Sequence, residues 1–255
     1  MKPIPVLNTV GVHDCKICTT PSPTLGGIDF NKSSKEWNNY SPLPSGTMVY
    51  YNRCPKCGFL FTCGLDKWTD LDFLEYIYNE NFSRIDHGAK IREMNNSRII
   101  ENLFKNEKEN IKILDFGGGE GGFSHHLTGQ GFDTEFFDPY IGSNKILINK
   151  KYELITCFEV MEHVTDPKSI IKEIIRLLSP NGIVIFSTVL IPNDFDDRGL
   201  FWTYVNPRGG HISIHSKESL GWLWNQNGYN FSSFNEEIHI AYKEVPAFAK
   251  HLFGK

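Results

Sequence analysis

The sequence predicts an α/β fold in which a doubly wound, mostly parallel sheet follows a small cysteine-bearing module. Strands and helices alternate from about residue 110 onward, which is typical of parallel sheets with helices on both faces. Five of the six cysteines precede residue 64, in a stretch rich in proline, glycine, serine and asparagine. The 255 residues are 40% hydrophobic, which is enough for a core and excludes disorder of the whole chain.

Composition and charge narrow the functional classes. The net charge is -4, and the chain lacks the clustered lysine and arginine with which proteins bind nucleic-acid backbones. No apolar run approaches the about 20 residues that a membrane-spanning helix requires, and the first residues lack the apolar stretch of a secretory signal. We therefore expect a cytoplasmic protein with reduced cysteines and no membrane association, for which nucleic acid is a disfavoured partner.

Residues 1–70 are predicted to form a zinc-ribbon-like module with short strands near residues 48–51 and 59–61. Two C-x-x-C pairs, the second of the form C-P-x-C-G, each supply two thiolates to one structural Zn²⁺ with tetrahedral geometry. The predicted metal ligands are Cys15, Cys18, Cys54 and Cys57. Cys63 is a spare or alternative ligand, and Cys157, inside an apolar strand, is predicted to be a buried core thiol.

Two further regions follow in the predicted organisation. Residues 71–107 show helical periodicity and form a bridge or cofactor lid, and residues 108–255 form the main α/β domain. The strands of that domain are predicted at residues 111–116, 134–137, 152–158 and 183–187, followed by a hairpin at 230–234 and 238–242. A helix begins at Asp166-Pro167 and ends at Pro180-Asn181-Gly182, where a turn is expected before the next strand.

A glycine-rich loop follows the first strand of this domain. Gly117, Gly119 and Gly122 match G-x-G-x-x-G, which alone would suggest a dinucleotide site. The same run also matches D-x-G-x-G-x-G, beginning at Asp115, and Asp138 ends the next strand, where it is placed to accept hydrogen bonds from ribose hydroxyls. The alternative is a turn that serves only to pack the strand against the helix.

Three segments together resemble a known family. LDFGGGEGGFSHHL, FDPY and YELITCFEVMEHVTDP are similar to motifs of class I S-adenosylmethionine-dependent methyltransferases, with a Rossmann-like fold, over roughly residues 110–190. The resemblance implies the cofactor S-adenosylmethionine. It implies that the cofactor is lined by Asp115, Gly117, Gly118 and Gly119 at the methionine portion, Asp138 at the ribose, and Phe158 and Glu159 at the inner side. The link from Tyr140 to Glu153 is shorter than in the family, so an abbreviated adenine wall is expected.

Methyl transfer to oxygen or nitrogen often needs a base for the acceptor's proton. The candidate catalytic residues are Glu159, His163 and His211, with His215 close behind; His163 alternatively braces its loop. Glu159, Glu162 and His163 also resemble the E-x-x-E-H arrangement with which some methyltransferases of this class hold a divalent cation, and His211 or His215 could complete it. The N-P-P-Y or D-P-P-Y signature of amino methylation is absent.

The connection before His211 is long and aromatic. Its members Phe195, Phe201, Trp202 and Tyr204 either form a lid or acceptor wall or pack against one another. Arg208 could bind a phosphate or carboxylate of an acceptor. Tyr76 and Tyr78 either cover the cofactor or belong to a structural helix face.

The arrangement resembles bacterial methyltransferases of sugar and capsular or surface-polysaccharide biosynthesis. This resemblance implies O-methylation of a small sugar or polysaccharide-linked acceptor, which could be phosphorylated or nucleotide-linked, and is compatible with a phosphoramidate-type modification. One alternative is a zinc-ribbon RNA base methyltransferase, which the scattered lysines of the cysteine module disfavour. Another is a non-catalytic regulatory protein that binds the cofactor.

Overall fold

The computed structural model of the protein describes residues 3–33, 42–141 and 150–254. Its strands are β1 (Val12–Asp14), β2 (Pro21–Asp29), β3 (Met48–Arg53), β4 (Leu60–Phe61), β5 (Lys112–Phe116), β6 (Asp133–Phe137), β7 (Tyr152–Cys157), β8 (Leu178–Ser187), β9 (Ser213–Ile214), β10 (Asn230–Ser233) and β11 (Ile238–Tyr242). Its α-helices are α1 (Asp70–Tyr76), α2 (Phe82–Ile85), α3 (Ala89–Phe104), α4 (Gly122–Gly129), α5 (Pro167–Leu177), α6 (Phe195–Arg198) and α7 (Lys217–Asn225).

The chain divides into two compact units, each assembled from three segments. The first unit contains residues 1–87, 161–168 and 189–222, and the second contains residues 88–160, 169–188 and 223–255. The predicted division into 1–70, 71–107 and 108–255 follows the order of the chain and stays a prediction. No helix in the described part of the chain is long and apolar enough to cross a membrane.

The first unit is built on a five-stranded antiparallel sheet in the order β1-β2-β3-β4-β9. Its last pair joins distant parts of the chain, because Leu60 of β4 pairs with Ile214 of β9. Phe59, Leu60 and Phe61 are completely buried and form part of its core. This sheet therefore pairs β4, which follows the second cysteine pair, with β9, which follows His211.

The second unit contains a six-stranded mixed sheet in the order β10-β11-β8-β7-β5-β6. The strands β8, β7, β5 and β6 are parallel, and the β10–β11 hairpin adds antiparallel strands at one edge. This arrangement confirms the predicted α/β fold. Among the described residues β6 is the other edge of the sheet; residues 142–149, where the abbreviated adenine wall was expected, lie outside the described residues.

The end of helix α5 differs from the prediction. Its apolar face buries Ile171, Ile174 and Leu177, as its periodicity predicts. Strand β8 begins directly at Leu178, which pairs with Tyr152, so Pro180-Asn181-Gly182 lies within the strand and does not precede it. The register of β7 against β8 shifts between Tyr152, which pairs with Leu178, and Leu154, which pairs with Ile183. This irregularity accommodates Pro180-Asn181-Gly182, which the sequence assigns to a turn.

Candidate functional site

The glycine loop of the second unit forms a cradle between β5 and α4. Gly117 and Gly121 have φ values of +80° and +81°, a region that favours glycine. A Cβ at Gly117 would collide with Val160, and one at Gly118 would collide with the carboxylate of Asp115. Gly119, at φ +53°, is different because a Cβ there would meet nothing within 4 Å. The backbone is therefore closely packed beneath the loop and open at Gly119, as a ligand cradle requires.

Asp138 closes the cradle at the end of β6. Its Oδ2 accepts a hydrogen bond of 3.0 Å from the backbone N–H of Gly119, and its Oδ1 accepts one of 2.9 Å from Tyr140. Each carboxylate oxygen can accept a second hydrogen bond. The side chain is thus fixed in orientation while keeping the capacity to bind a pair of hydroxyl groups, which fits its predicted role towards a ribose.

Asp115 is buried beneath the cradle and accepts a hydrogen bond of 3.0 Å from the hydroxyl of Thr156. Burial raises the pKa of this carboxyl from 3.8 to about 7. The Thr156 hydrogen bond opposes this rise in the pKa, while the negative charges of Glu93 and Asp138 add to it. A cationic group brought near these carboxylates would favour the ionised form of Asp115.

Glu159 and Phe158 follow strand β7 in the same unit. Glu159 has φ +55°, a strained value for a residue with a side chain. Its backbone N–H donates to Ser187 Oγ at 2.9 Å, and Ser187 Oγ donates back to Glu159 Oε1 at 2.9 Å. Phe158 is half-buried and its ring centre lies 5.7 Å from that of Phe123. The strained backbone of Glu159 is therefore held in place by a reciprocal pair of hydrogen bonds.

Two residues at this site were missed by sequence reasoning. Arg92 Nε lies 3.5 Å from Glu159 Oε2, and Glu93 Oε1 accepts a hydrogen bond of 2.9 Å from the backbone N–H of Phe123. A carboxylate at the first turn of α4 satisfies an N–H that the helix leaves without a partner. Both residues lie on α3, whose spacing reveals its apolar face but gives no signal for where its polar residues reach.

A second cluster lies in the first unit. Ligand atoms of Glu162, His163 and His211 all lie within 4.8 Å of one another, and the two imidazole rings meet edge to face at 5.0 Å. Glu162 is completely buried and accepts a hydrogen bond of 2.6 Å from the hydroxyl of Tyr204. His215 is not in this cluster, because its ring nitrogens lie 3.3 Å from Ser219 Oγ and from the Met161 carbonyl. These three residues form a mixed N/O set that could hold a divalent cation.

His211 has a defined tautomer. Its Nδ1 lies 2.8 Å from the backbone carbonyl of Tyr204, and only a protonated nitrogen can hydrogen-bond to a carbonyl oxygen. In the neutral ring Nε2 therefore carries the lone pair. His163 differs, since its Nδ1 lies 3.3 Å from the hydroxyl of Tyr78, which can either donate or accept. Of the two imidazoles, His211 has the nitrogen that is prepared to accept a proton.

The aromatic connection packs largely on itself. Phe195 is buried and Trp202 nearly so, with their rings at 6.0 Å, while Phe201 is 82% exposed. The expectation that Arg208 meets an acceptor is wrong for this structure. Arg208 is buried, and its guanidinium donates to the Ile77 carbonyl at 2.9 Å and to Asn79 Oδ1 at 3.0 Å. Arg208 therefore anchors the segment that follows helix α1.

The four predicted metal-ligating cysteines converge in the first unit. Sγ of Cys15 lies 3.6 Å from that of Cys57, and Sγ of Cys18 lies 3.4 Å from that of Cys54. A tetrahedral zinc ion with Zn–S bonds of about 2.3 Å places its sulfurs about 3.8 Å apart, so the arrangement fits such an ion. The hydrogen bond with the Cys57 thiol lowers the pKa of Cys15 to about 5, while the same contact and burial raise the pKa of Cys57, so the thiolate of this pair lies on Cys15. Cys63 is outside this group.

Comparison with known proteins decides the family. Residues 89–233, more than half of the chain, match a family model described as a methyltransferase domain. The chain belongs to this methyltransferase family. Membership shows that the chain carries a methyltransferase domain, which agrees with the predicted enzyme class and with the observed Rossmann-like sheet.

Curated relatives of the methyltransferase are named ubiquinone biosynthesis O-methyltransferase. That of Proteus mirabilis is 31% identical over 134 residues, covering 46% of this chain and 53% of the relative. That of Rickettsia conorii is 28% identical over 182 residues, covering 60% of this chain and 58% of the relative. The chain thus spans less than two thirds of the length of these relatives. An O-methyltransferase family protein from Burkholderia thailandensis is 13% identical at a TM-score of 0.45, covering 68% of this chain and 64% of that structure.

Replacing Asp115 by asparagine is expected to stabilise the cofactor-free methyltransferase more at pH 8 than at pH 5. Because the pKa of Asp115 is raised on folding, its contribution to the free energy of unfolding is fully present below about pH 4 and is lost as pH rises through about 7. Asparagine does not titrate, so the variant avoids a loss of roughly 2 kcal/mol between the two pH values. Urea unfolding at both pH values measures this, and the same pH dependence in both proteins would contradict it.

Proposed function

We propose that this methyltransferase transfers the methyl group of S-adenosylmethionine to a hydroxyl oxygen of a small molecule. The observation that carries the proposal is the glycine cradle closed by Asp138, in a chain whose family is the methyltransferase family. The names of the curated relatives support oxygen as the acceptor atom. The missing amino-methylation signature points the same way.

In this proposal the second unit binds the cofactor. Asp115 and the backbone of Gly117, Gly118 and Gly119 bind the methionine portion, Asp138 binds the ribose hydroxyls, and Phe158 and Glu159 line the inner side. The bound cofactor supplies the methyl group on its sulfonium. The reciprocal bonds with Ser187 and the ion pair with Arg92 support a positioning role for Glu159, because they already engage its carboxylate.

Asp138→Ala is expected to weaken binding of S-adenosylhomocysteine by about 1.5–3 kcal/mol, roughly 10- to 150-fold in Kd, because two hydrogen bonds to a charged acceptor are lost. Isothermal titration calorimetry measures the change. Asp133→Ala, at the opposite end of strand β6, is the matched control and should bind normally. Equal affinity of Asp138→Ala and the unaltered protein would remove Asp138 from the site.

His211 is our proposed general base, since the tautomer fixed by the Tyr204 carbonyl leaves Nε2 able to take the acceptor's proton. His163 is the second candidate. A divalent cation bound by Glu162, His163 and His211 would instead lower the pKa of an acceptor hydroxyl directly. The test uses protein that retains one zinc per chain and has been freed of other divalent cations by gel filtration. Activity that then depends on added Mg²⁺ or Mn²⁺ supports the cation, while full activity without an added cation supports the free imidazole.

The four-cysteine cluster is proposed to hold one structural Zn²⁺. All four positions of a tetrahedral ion would be filled by thiolates, so the site would leave no open position for a substrate. The support is the convergence of the two C-x-x-C loops, which we call the first knuckle (residues 15–18) and the second knuckle (residues 54–57). In each knuckle a backbone N–H group points at sulfur: that of Ile17 lies 3.4 Å from Cys15 Sγ, and that of Cys57 lies 3.4 Å from Cys54 Sγ.

The acceptor is proposed to be a sugar or a polysaccharide-linked metabolite, as the sequence resemblance implies. The names of the relatives instead favour an acceptor of ubiquinone biosynthesis. Incubation with S-adenosylmethionine labelled in its methyl group, with nucleotide sugars, capsular oligosaccharides and phenols as separate substrates, distinguishes these classes by the mass of the product. Labelling of amines and of no hydroxyl compound would contradict the proposal. No observation favours the RNA or the non-catalytic alternative.

A further inference from the structure

Lys16 lies between the two cysteines of the first knuckle, and its ammonium is nearly buried among three hydrogen-bond acceptors. Its side chain is only 12% exposed. Its ammonium donates to the Thr62 carbonyl at 2.8 Å, to the Thr165 carbonyl at 3.0 Å and to the carboxylate of Asp66. A lysine has three N–H donors, so these acceptors use its full capacity. An ammonium with so little exposure to water needs such partners, and the contact with Thr165 is one of the three that satisfy it.

Thr165 belongs to the short segment that carries Glu162 and His163. Two further backbone carbonyls of this segment are anchored by strand β9 and the residue before it. Ile212 donates its N–H to the Glu162 carbonyl at 2.9 Å, and Ser213 Oγ donates to the Val164 carbonyl at 2.6 Å. Strand β9 in turn pairs with β4, which follows the second knuckle. The backbone carbonyls of Glu162, Val164 and Thr165 are thus held by hydrogen bonds from the cysteine module, from its sheet or from the residue that precedes β9.

We infer that Lys16 is a positioning residue that fixes the Glu162–His163 segment, so that the cysteine module orients the histidine cluster as well as stabilising the fold. Anchoring the Thr165 carbonyl two residues beyond His163 restricts the backbone from which that imidazole projects. Reactive groups must be held to within about 0.5 Å of their productive geometry, and a displacement of about 1 Å can lower a rate by 100-fold. The effect on catalysis rests on the proposed function; the effect on the geometry of His163 does not.

The test compares Lys16→Met with Lys56→Met in the full chain. Methionine keeps most of the length of the unbranched lysine side chain and removes its charge and donors. Lys56 lies in the second knuckle, where its Nζ is 4.6 Å from the centre of the Trp222 ring, and it is the matched control. Three quantities are measured: zinc per chain, the NMR resonances of the His163 ring assigned with His163→Asn, and kcat and KM.

Lys16→Met is expected to retain its zinc, to shift the His163 resonances and to lower kcat by about 10- to 100-fold with KM for S-adenosylmethionine unchanged. Lys56→Met should match the unaltered protein in all three. Unchanged His163 resonances in Lys16→Met would overturn the inference, and so would loss of zinc, since Lys16 would then serve the metal site itself. If Lys16→Met does not fold, Lys16→Arg, which retains the charge, takes its place. A shift of the His163 resonances in that variant then supports the inference, and unchanged resonances overturn it. If no acceptor is methylated by the unaltered protein, the proposed function fails while the resonances still test Lys16.

Discussion

His211→Asn is expected to lower kcat by about 10²- to 10⁴-fold, the usual contribution of a general base, while S-adenosylhomocysteine binds as before. The amide nitrogen of asparagine takes the place of Nδ1 and can still donate to the Tyr204 carbonyl, 2.8 Å from Nδ1 in the present structure. Nothing replaces Nε2, which is the nitrogen that would take the proton. The substitution therefore removes the base and keeps the local hydrogen bond. Steady-state kinetics with the methylated acceptor class, over a range of pH, measures the loss.

His163→Asn is the matched variant for His211→Asn. It removes an imidazole of the same cluster whose Nδ1 lies near the hydroxyl of Tyr78 at 3.3 Å. If His211 is the base, the pH–rate profile loses its acidic limb in His211→Asn and keeps it in His163→Asn. The reverse result would assign the role to His163. Near-normal kcat in both variants would leave the cluster without a role as base.

Cys54→Ser is expected to abolish zinc binding and to lower the Tm by more than about 10 °C. The first unit contains ten of the thirteen prolines of the chain. Structural zinc sites contribute about 10–16 kcal/mol of apparent binding free energy, which is comparable with the whole stability of a domain. Elemental analysis and thermal unfolding measure the two effects. A chelator added to the unaltered protein should reproduce both.

Cys63→Ser is the control for the zinc prediction. Cys63 is outside the four-cysteine group, and burial raises the pKa of its thiol to about 11, so it stays protonated near neutral pH. The variant should keep one zinc per chain and a nearly unchanged Tm. Retention of zinc in Cys54→Ser together with its loss in Cys63→Ser would show that the ligand set is different from the proposed one.

Local signals were sufficient for most of the second unit. The order of strands and helices, the hairpin that ends the sheet and the burial of Cys157 all follow from patterns of a few residues. The cradle was predictable for the same reason, because the glycines, Asp115 and Asp138 are each next to a strand end. The boundary between α5 and β8 was not, since the pairing of Leu178 with Tyr152 overrides the turn signal of Pro180-Asn181-Gly182.

Contacts between distant segments were beyond the reach of the sequence. The pairing of β4 with β9, the contact of Lys16 with Thr165 and the capping of α4 by Glu93 each join residues 30 or more positions apart. Arg208 shows the same difficulty, because an arginine among aromatic residues can bind a phosphate or carboxylate of the methyl acceptor or can donate to a buried backbone carbonyl. Only the folded chain distinguishes these possibilities, by bringing the Ile77 carbonyl within 2.9 Å.

Isothermal titration calorimetry with S-adenosylhomocysteine tests the central claim most directly, because it requires no knowledge of the acceptor. The cradle at Gly119 and the carboxylate of Asp138 predict binding of one molecule per chain, weakened by Asp138→Ala. Titration with NAD should give no heat of binding. Binding of NAD in place of S-adenosylhomocysteine would contradict the proposed methyltransferase activity. The glycine loop would then be a dinucleotide site, as its G-x-G-x-x-G pattern alone suggests.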